Sequence, residues 1–275
     1  MNERGFPKKE EREEVIKAVE YNRKLADVEY GGYIYLENEW PVYDSSLSDF
    51  AETFTLVLPK DYGGSDPHRL GLDPAIFRKY IENTLSQGQG EQKHGLTAVE
   101  FGGPGSKLFS GFSKGFFIKT AGVCLRDERD QRKKDNDVTN NHSVLEGDIM
   151  DPTKNEVLVT VVETLGTAKT DLIISRMCGP LDVINKHPAI LDRIIRNWYS
   201  MLNENGIIFV QFEFKLRGSE VPITDTENLV KKWVVAVKEI LKIDTQIGDS
   251  GTLRLHKRKG ALEKLPSATQ LFRNT

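Results

Sequence analysis

The feature that most constrains the fold of this chain is a rhythm beginning at Gly95, in which short apolar runs are separated by helical or polar segments. The runs cover 96–101, 121–125, 143–145, 171–175 and 206–214. Short apolar runs bounded by turns and alternating with helices imply βαβ units around a buried, mainly parallel sheet. Between the last two runs, Ile190, Leu191, Ile194, Ile195, Trp198 and Leu202 recur at helical spacing, which predicts a helix over 188–203 that stops at Asn205-Gly206. A second helix is predicted over 226–242, with Leu229, Val230, Trp233, Val234, Val237, Ile240 and Leu241 inward. Two alternating runs then flank Gly248-Asp249-Ser250-Gly251. That is a hairpin signal, and strands joined by a tight turn run antiparallel.

The first ninety or so residues lack this rhythm. Residues 8–25 read as an amphipathic helix with Val15, Ile16, Val19 and Leu25 near one face, and 28–43 as a short aromatic hairpin carrying Tyr30, Tyr33, Tyr35, Trp40 and Tyr43. The stretch 45–87 is the least regular, except that Asp73-Pro74 combines a capping side chain with a proline suited to the first helical turn. That helix should run through Phe77, Tyr80, Ile81 and Leu85. With 275 residues the chain accommodates one large α/β domain over 91–275 preceded by an extension over 1–90. The aromatic segment of that extension reads either as a cover for a ligand site or as an anchor that packs the extension onto the domain.

Composition narrows the function classes. A chain that is 38% hydrophobic and 29% charged, with no apolar run of membrane-spanning length and a charged N-terminus, is expected to be a cytoplasmic globular protein with no membrane partner. A formal net charge of −3 gives no reason to expect nucleic-acid binding, and Lys257-Arg258-Lys259 reads as a solvated strand end. Cys124 and Cys178 form no Cys-x-x-Cys pair, and no histidine stands at metal-ligand spacing, so neither a disulfide framework nor a metal site is expected.

Four strand ends carry candidate chemistry. Glu100-Phe101-Gly102-Gly103-Pro104-Gly105 follows the first apolar run; glycines let a backbone turn tightly and approach a ligand, and an acid there can accept hydrogen bonds. A plain strand-to-helix turn is the alternative, although three glycines and an acid exceed what a turn requires. The second run leads to Asp127 and Glu128, at the start of a charged stretch, 127–137, that reads as a solvated loop. The third leads to Gly147-Asp148-Ile149, and the fourth to Ser175-Arg176-Met177-Cys178. A lone Cys178 reads first as a small buried residue.

In this order the motifs resemble those of the class I S-adenosylmethionine-dependent methyltransferases, over roughly 95–259. Their glycine motif is spaced over one more residue than Gly102, Gly103 and Gly105 are here. The resemblance implies a doubly wound, mainly parallel seven-stranded sheet whose last strand is antiparallel and lies beside the fifth. It implies S-adenosylmethionine as cofactor, held by Glu100, the backbone of Gly102, Gly103 and Gly105, the acid at Asp127, Asp148 for the adenine amine, Ile149 over the ring, and Ser175. No Asn-Pro-Pro-Tyr-like sequence follows the fourth run, which disfavours the enzymes that methylate nucleobase amines.

Methyl transfer from a sulfonium is an in-line displacement governed by alignment, which suits a chain without a catalytic triad. Arg176 and Glu213 are the candidate catalytic side chains by position, and a small-molecule acceptor is favoured over a macromolecule. His94 and His142 precede their strands and are expected at the opposite edge of the sheet, and His187 reads as a cap before Pro188. Two other classes stay open: a non-catalytic binding domain on the same fold, and a dinucleotide-dependent Rossmann oxidoreductase, for which the glycine spacing and terminal hairpin are less suited.

Overall fold

The computed structural model describes residues 44–64, 73–88, 95–124, 126–127, 129–147, 149, 156–176, 188–211, 224–241, 243–248 and 251–266. The helix predicted over 8–25 and the aromatic hairpin over 28–43 lie outside them.

Alternation of strands and helices produces a single seven-stranded sheet in the order β3-β2-β1-β4-β5-β7-β6. Its strands are β1 (Leu96–Phe101), β2 (Phe117–Cys124), β3 (His142–Glu146), β4 (Thr170–Arg176), β5 (Leu202–Gln211), β6 (Asp244–Gly248) and β7 (Thr252–His256). The first five pair in parallel; β7 is antiparallel to both β5 and β6, so it alone opposes the common direction. The turn that forces this is closed by Gly251 N–H donating to Gly248 O at 3.2 Å. This is the doubly wound sheet with an inserted antiparallel last strand that the sequence implied, and not the all-parallel sheet of a dinucleotide domain. The strand order reverses between β1 and β4, which opens a crevice at their carboxyl ends.

Helices cover both faces. α1 (Leu47–Phe54), α2 (Pro74–Gly88), α3 (Ser106–Ser110) and α4 (Gln131–Thr139) precede β4 or follow β1 and β2; α5 (Glu156–Leu165), α6 (Pro188–Ser200) and α7 (Thr224–Leu241) complete the set. One face buries Ala98, Leu172, Ile174, Ile207 and Phe209 against Phe50 and Phe54 of α1 and Phe77 and Ile81 of α2. The other buries Val99, Phe101, Val123, Ile173, Ile208 and Val210 against Val161, Ile195, Trp198, Val234 and Val237. Phe101 stacks on Trp198 with ring centroids 4.6 Å apart. All six residues of β1 are buried, as a central strand requires.

Three local expectations are corrected. Residues 45–87 are not irregular throughout: Ser46 caps α1 and forms a reciprocal capping box, its backbone N–H donating to Asp49 Oδ2 at 2.7 Å. α1 and α2 thereby enter the core, although they lie within the stretch 1–90 read as an extension. The charged stretch 127–137 is not simply a solvated loop, because Asp130 accepts from Lys133 N–H at 3.0 Å and starts α4. Asn205-Gly206 does not end α6, which stops at Ser200. The pair sits inside β5, where Asn205 adopts φ 64° and the register to β4 slips between Thr170 and Leu172. Asparagine tolerates the left-handed conformation, so the pair makes a bulge in a strand that continues.

Candidate functional site

Glu100 stands at the carboxyl end of β1, paired with Gly122 of β2 on one side and Ile174 of β4 on the other. Its side chain therefore points to the face covered by α1 and α3, at the reversal in strand order. It is 1% exposed, and Oε2 is buried without a hydrogen-bond partner among the described residues. Burial holds this carboxyl well above the ordinary range for glutamate; the nearby Asp44 carboxylate pushes the same way, while Arg176 and a hydrogen bond from Gly105 N–H oppose it.

The glycine loop folds back across β2 from this point. Gly102 N–H donates to Val123 O at 2.8 Å, and Gly103 bridges to Val123 in antiparallel fashion. Gly102 and Gly105 adopt φ 94° and 75°, values that only glycine takes readily. A Cβ on Gly103 would collide with Oε1 of Glu100, and one on Gly122 would collide with the backbone carbonyl of Pro104. Loop, strand and buried carboxyl thus touch with no side chain between them. α3 begins at Ser106, and Asp44 Oδ1 accepts from its Lys107 N–H at 3.2 Å.

Arg176 closes β4 on the same face as Glu100. Its guanidinium lies 5.8 Å from the centroid of the Phe50 ring, donates to Ser45 Oγ at 3.1 Å and approaches Gln211 Oε1 at 3.4 Å. Ser175 points to the opposite face, fully buried, with its hydroxyl lacking a partner among the described residues. Ile149 is half-buried and packs against the core cluster that includes Val99 and Val123, as Leu145 and Val157 also do. Asp148, Glu213, Glu128, Cys178 and His187, together with Tyr33, Tyr35 and Trp40, lie outside the described residues.

Asp127 is engaged more heavily than the sequence suggested. Arg129 grips it through Nε at 2.7 Å and Nη2 at 3.0 Å, and Lys134 Nζ stands 3.6 Å from Oδ2. These cations hold its carboxyl below the ordinary aspartate range, Arg129 foremost, against the opposing effect of burial. Arg129 also donates to Asp137 and to Ser106 Oγ, while Ser106 donates to Asp137 at 2.8 Å. The network ties the loop after β2 to α4 and to the start of α3. Arg129 and Asp137 lie in the stretch read as a solvated loop; the signal against that reading is Asp130 at a capping distance from Lys133.

The expectation that His142 lies at the opposite edge of the sheet is corrected: it opens β3, but its ring reaches the glycine loop, with Nε2 2.7 Å from Pro104 O and Nδ1 2.7 Å from Thr120 Oγ1. Among the described residues no group of three or more His, Cys, Asp and Glu side chains could hold a metal ion, and no helix is long and apolar enough to cross a membrane.

No protein-family model matches the sequence, and no curated protein matches it. The fold is similar to the MycE methyltransferase of the mycinamycin biosynthetic pathway, at 12% identity and a TM-score of 0.46, covering 78% of this chain and 54% of that one. The chain thus spans about half the length of that protein. It is also similar to an rRNA methylase from Streptococcus thermophilus (10% identity, TM-score 0.39, 66% of this chain and 97% of that one). A third similar structure is the N-methyltransferase NodS from Bradyrhizobium japonicum WM9 (12% identity, TM-score 0.37, 67% and 96%). The fold itself stands on the strand order and register given above, which do not depend on these likenesses.

Proposed function

We propose that this chain binds S-adenosylmethionine at the carboxyl ends of β1 and β4 and transfers its methyl group to a small molecule. The observation that carries the reading is Glu100: a fully buried carboxyl with an oxygen unpartnered among the described residues, beside a glycine-rich loop, at the point where the strand order reverses. A buried acceptor without a donor is costly, and the ammonium end of such a cofactor would supply one. The bound cofactor would supply an electrophilic methyl group on a sulfonium.

The other roles follow from position. Asp127 keeps lone pairs beyond the Arg129 fork that can accept ribose hydroxyls. Asp148 would accept the adenine amine, Ile149 would flank the ring, and Ser175 would offer its unpartnered hydroxyl. Arg176 and Glu213, at the ends of β4 and beyond β5, are the side chains proposed to face the acceptor. The aromatic segment 30–43 would shield that acceptor, with Tyr33, Tyr35 and Trp40 the first residues to substitute. The net charge of −3 supports a small acceptor over a nucleic acid.

Calorimetric titration of the full chain with S-adenosylhomocysteine tests the reading. Binding is expected, and Asp148→Ala is expected to weaken it by roughly 1–3 kcal/mol by removing one buried partner. Absence of binding to folded protein at millimolar ligand would overturn the assignment and leave the fold. A second reading, a non-catalytic domain on this fold, is favoured by one observation: Gly102 and Gly105 N–H groups are already bonded, to Val123 O and to Glu100. Binding without turnover of any acceptor would support it.

A further inference from the structure

The carbonyl of Pro104 meets a histidine from the third strand. A carbonyl only accepts, so the hydrogen between it and His142 belongs to Nε2. In the neutral ring Nδ1 is then the acceptor, and the Thr120 hydroxyl donates to it. Both ring nitrogens are satisfied, and the residue is 5% exposed. Burial lowers its basicity, ahead of opposing and assisting effects from Pro104 O, Asp137, Arg129 and Asp44. Thr120 and His142 are paired across β2 and β3, so sheet register places the ring.

The surroundings leave the loop one seat. Gly122 lacks the Cβ that would meet Pro104 O from below, and a Cβ on Gly105 would stand 3.1 Å from His142 Cε1 and 2.9 Å from Phe109 Cε2. The Phe109 ring lies 5.7 Å from the imidazole. Pro104 is itself buried and has no N–H, so its carbonyl is the only polar backbone group it contributes.

We propose that His142 is a positioning residue whose Nε2–H pins the Pro104 carbonyl and so fixes the Gly102–Gly105 loop against β2 in the conformation that receives the cofactor. The proposal rests on reading that loop as the S-adenosylmethionine site. It explains how a glycine motif one residue short can keep a defined shape: the shortened turn brings a carbonyl, rather than a further amide, against the sheet, and a donor from β3 meets it.

The test compares the full-length wild type with His142→Gln and His142→Asn by S-adenosylhomocysteine titration. A glutamine amide can place an N–H near the position of Nε2, whereas the asparagine amide falls near Nδ1 and cannot reach Pro104. Gln is expected to bind within about threefold of wild type and Asn roughly tenfold to a hundredfold more weakly, as fits an unpaired buried carbonyl. Equal binding by wild type and a folded Asn variant would overturn the proposal, whereas no binding by folded wild type would instead overturn the cofactor reading. Should the Asn variant fail to fold, nuclear magnetic resonance on the wild type decides. His142 should show the Nε2–H tautomer with ring N–H exchange slowed by ligand; the Nδ1–H tautomer, or exchange indifferent to ligand, overturns the proposal.

Discussion

Gly122 of β2 carries the carbonyl of Pro104 directly on its Cα, in the space a Cβ would occupy. The atom in the way is backbone, so it cannot swing aside as a flexible side chain could. Gly122→Ala is expected to destabilise the protein by about 1–3 kcal/mol, the usual cost of overpacking, and to lower S-adenosylhomocysteine affinity with it. Urea denaturation beside calorimetry checks this; unchanged stability would show that the loop moves freely.

Glu100 gives a pH signature. Its folded-state pKa is raised, so its contribution to stability is fully present below the unfolded value of about 4.3 and is lost as pH rises through the folded value. Glu100→Gln removes that slope. The unliganded variant is therefore expected to gain stability relative to wild type toward neutral pH while binding S-adenosylhomocysteine less well. Denaturation midpoints that run parallel across the acid range would refute it.

His142 works in the opposite sense. Its folded-state pKa is depressed by burial, so its contribution is present above the unfolded value of about 6.5 and lost as pH falls through the folded value. His142→Gln cannot titrate there. Thermal midpoints of wild type and variant should converge on moving from alkaline to mildly acidic solution, and a constant separation would count against the assigned burial.

Arg129 joins Asp127 and Asp137 with side-chain exposures of 10%, 10% and 8%. Arg129→Ala leaves the buried carboxylate of Asp137 without its cation and Asp127 with Lys134 alone, expected to cost about 3–5 kcal/mol. Replacing Arg129 by Met together with Asp137 by Leu should recover much of that loss, because an apolar pair needs no compensation. A double-mutant cycle by chemical denaturation measures the coupling; additivity would mean that the network is not cooperative.

Asn205 holds φ 64° inside β5. Asn205→Ala is expected to cost about 1 kcal/mol, because a Cβ without the local hydrogen-bonding of asparagine disfavours the left-handed region, whereas Asn205→Gly should be close to neutral. Differential scanning calorimetry of the two variants would show no such order if the bulge relaxes.

Local pattern by itself determined a buried, mainly parallel sheet that ends in a hairpin; its strand order did not follow from it. Short turn-bounded apolar runs such as Leu96–Phe101 fit central strands, where every residue is covered, and the turn Gly248–Gly251 returns the last strand antiparallel. Glu100 and the glycines were legible too, since positive φ and close backbone approach leave a residue-type mark in the chain. Other features had no such mark. His142 reads from its place in the sequence as a residue at the far edge of the sheet, and only the register of β3 on β2, together with the fold-back of the loop, brings Nε2 to Pro104 O. Arg129 and Asp137 read as two charges in a solvated stretch, until α4 turns one toward the other over Ser106. Asn205-Gly206 shows the limit most directly: the residue types announce a left-handed turn, but whether that turn ends a helix or bends a strand depends on which chain segment lies beside it. Propensity is a property of nearest neighbours in sequence, whereas these contacts join positions from 8 to 38 residues apart, and packing decides which of them meet.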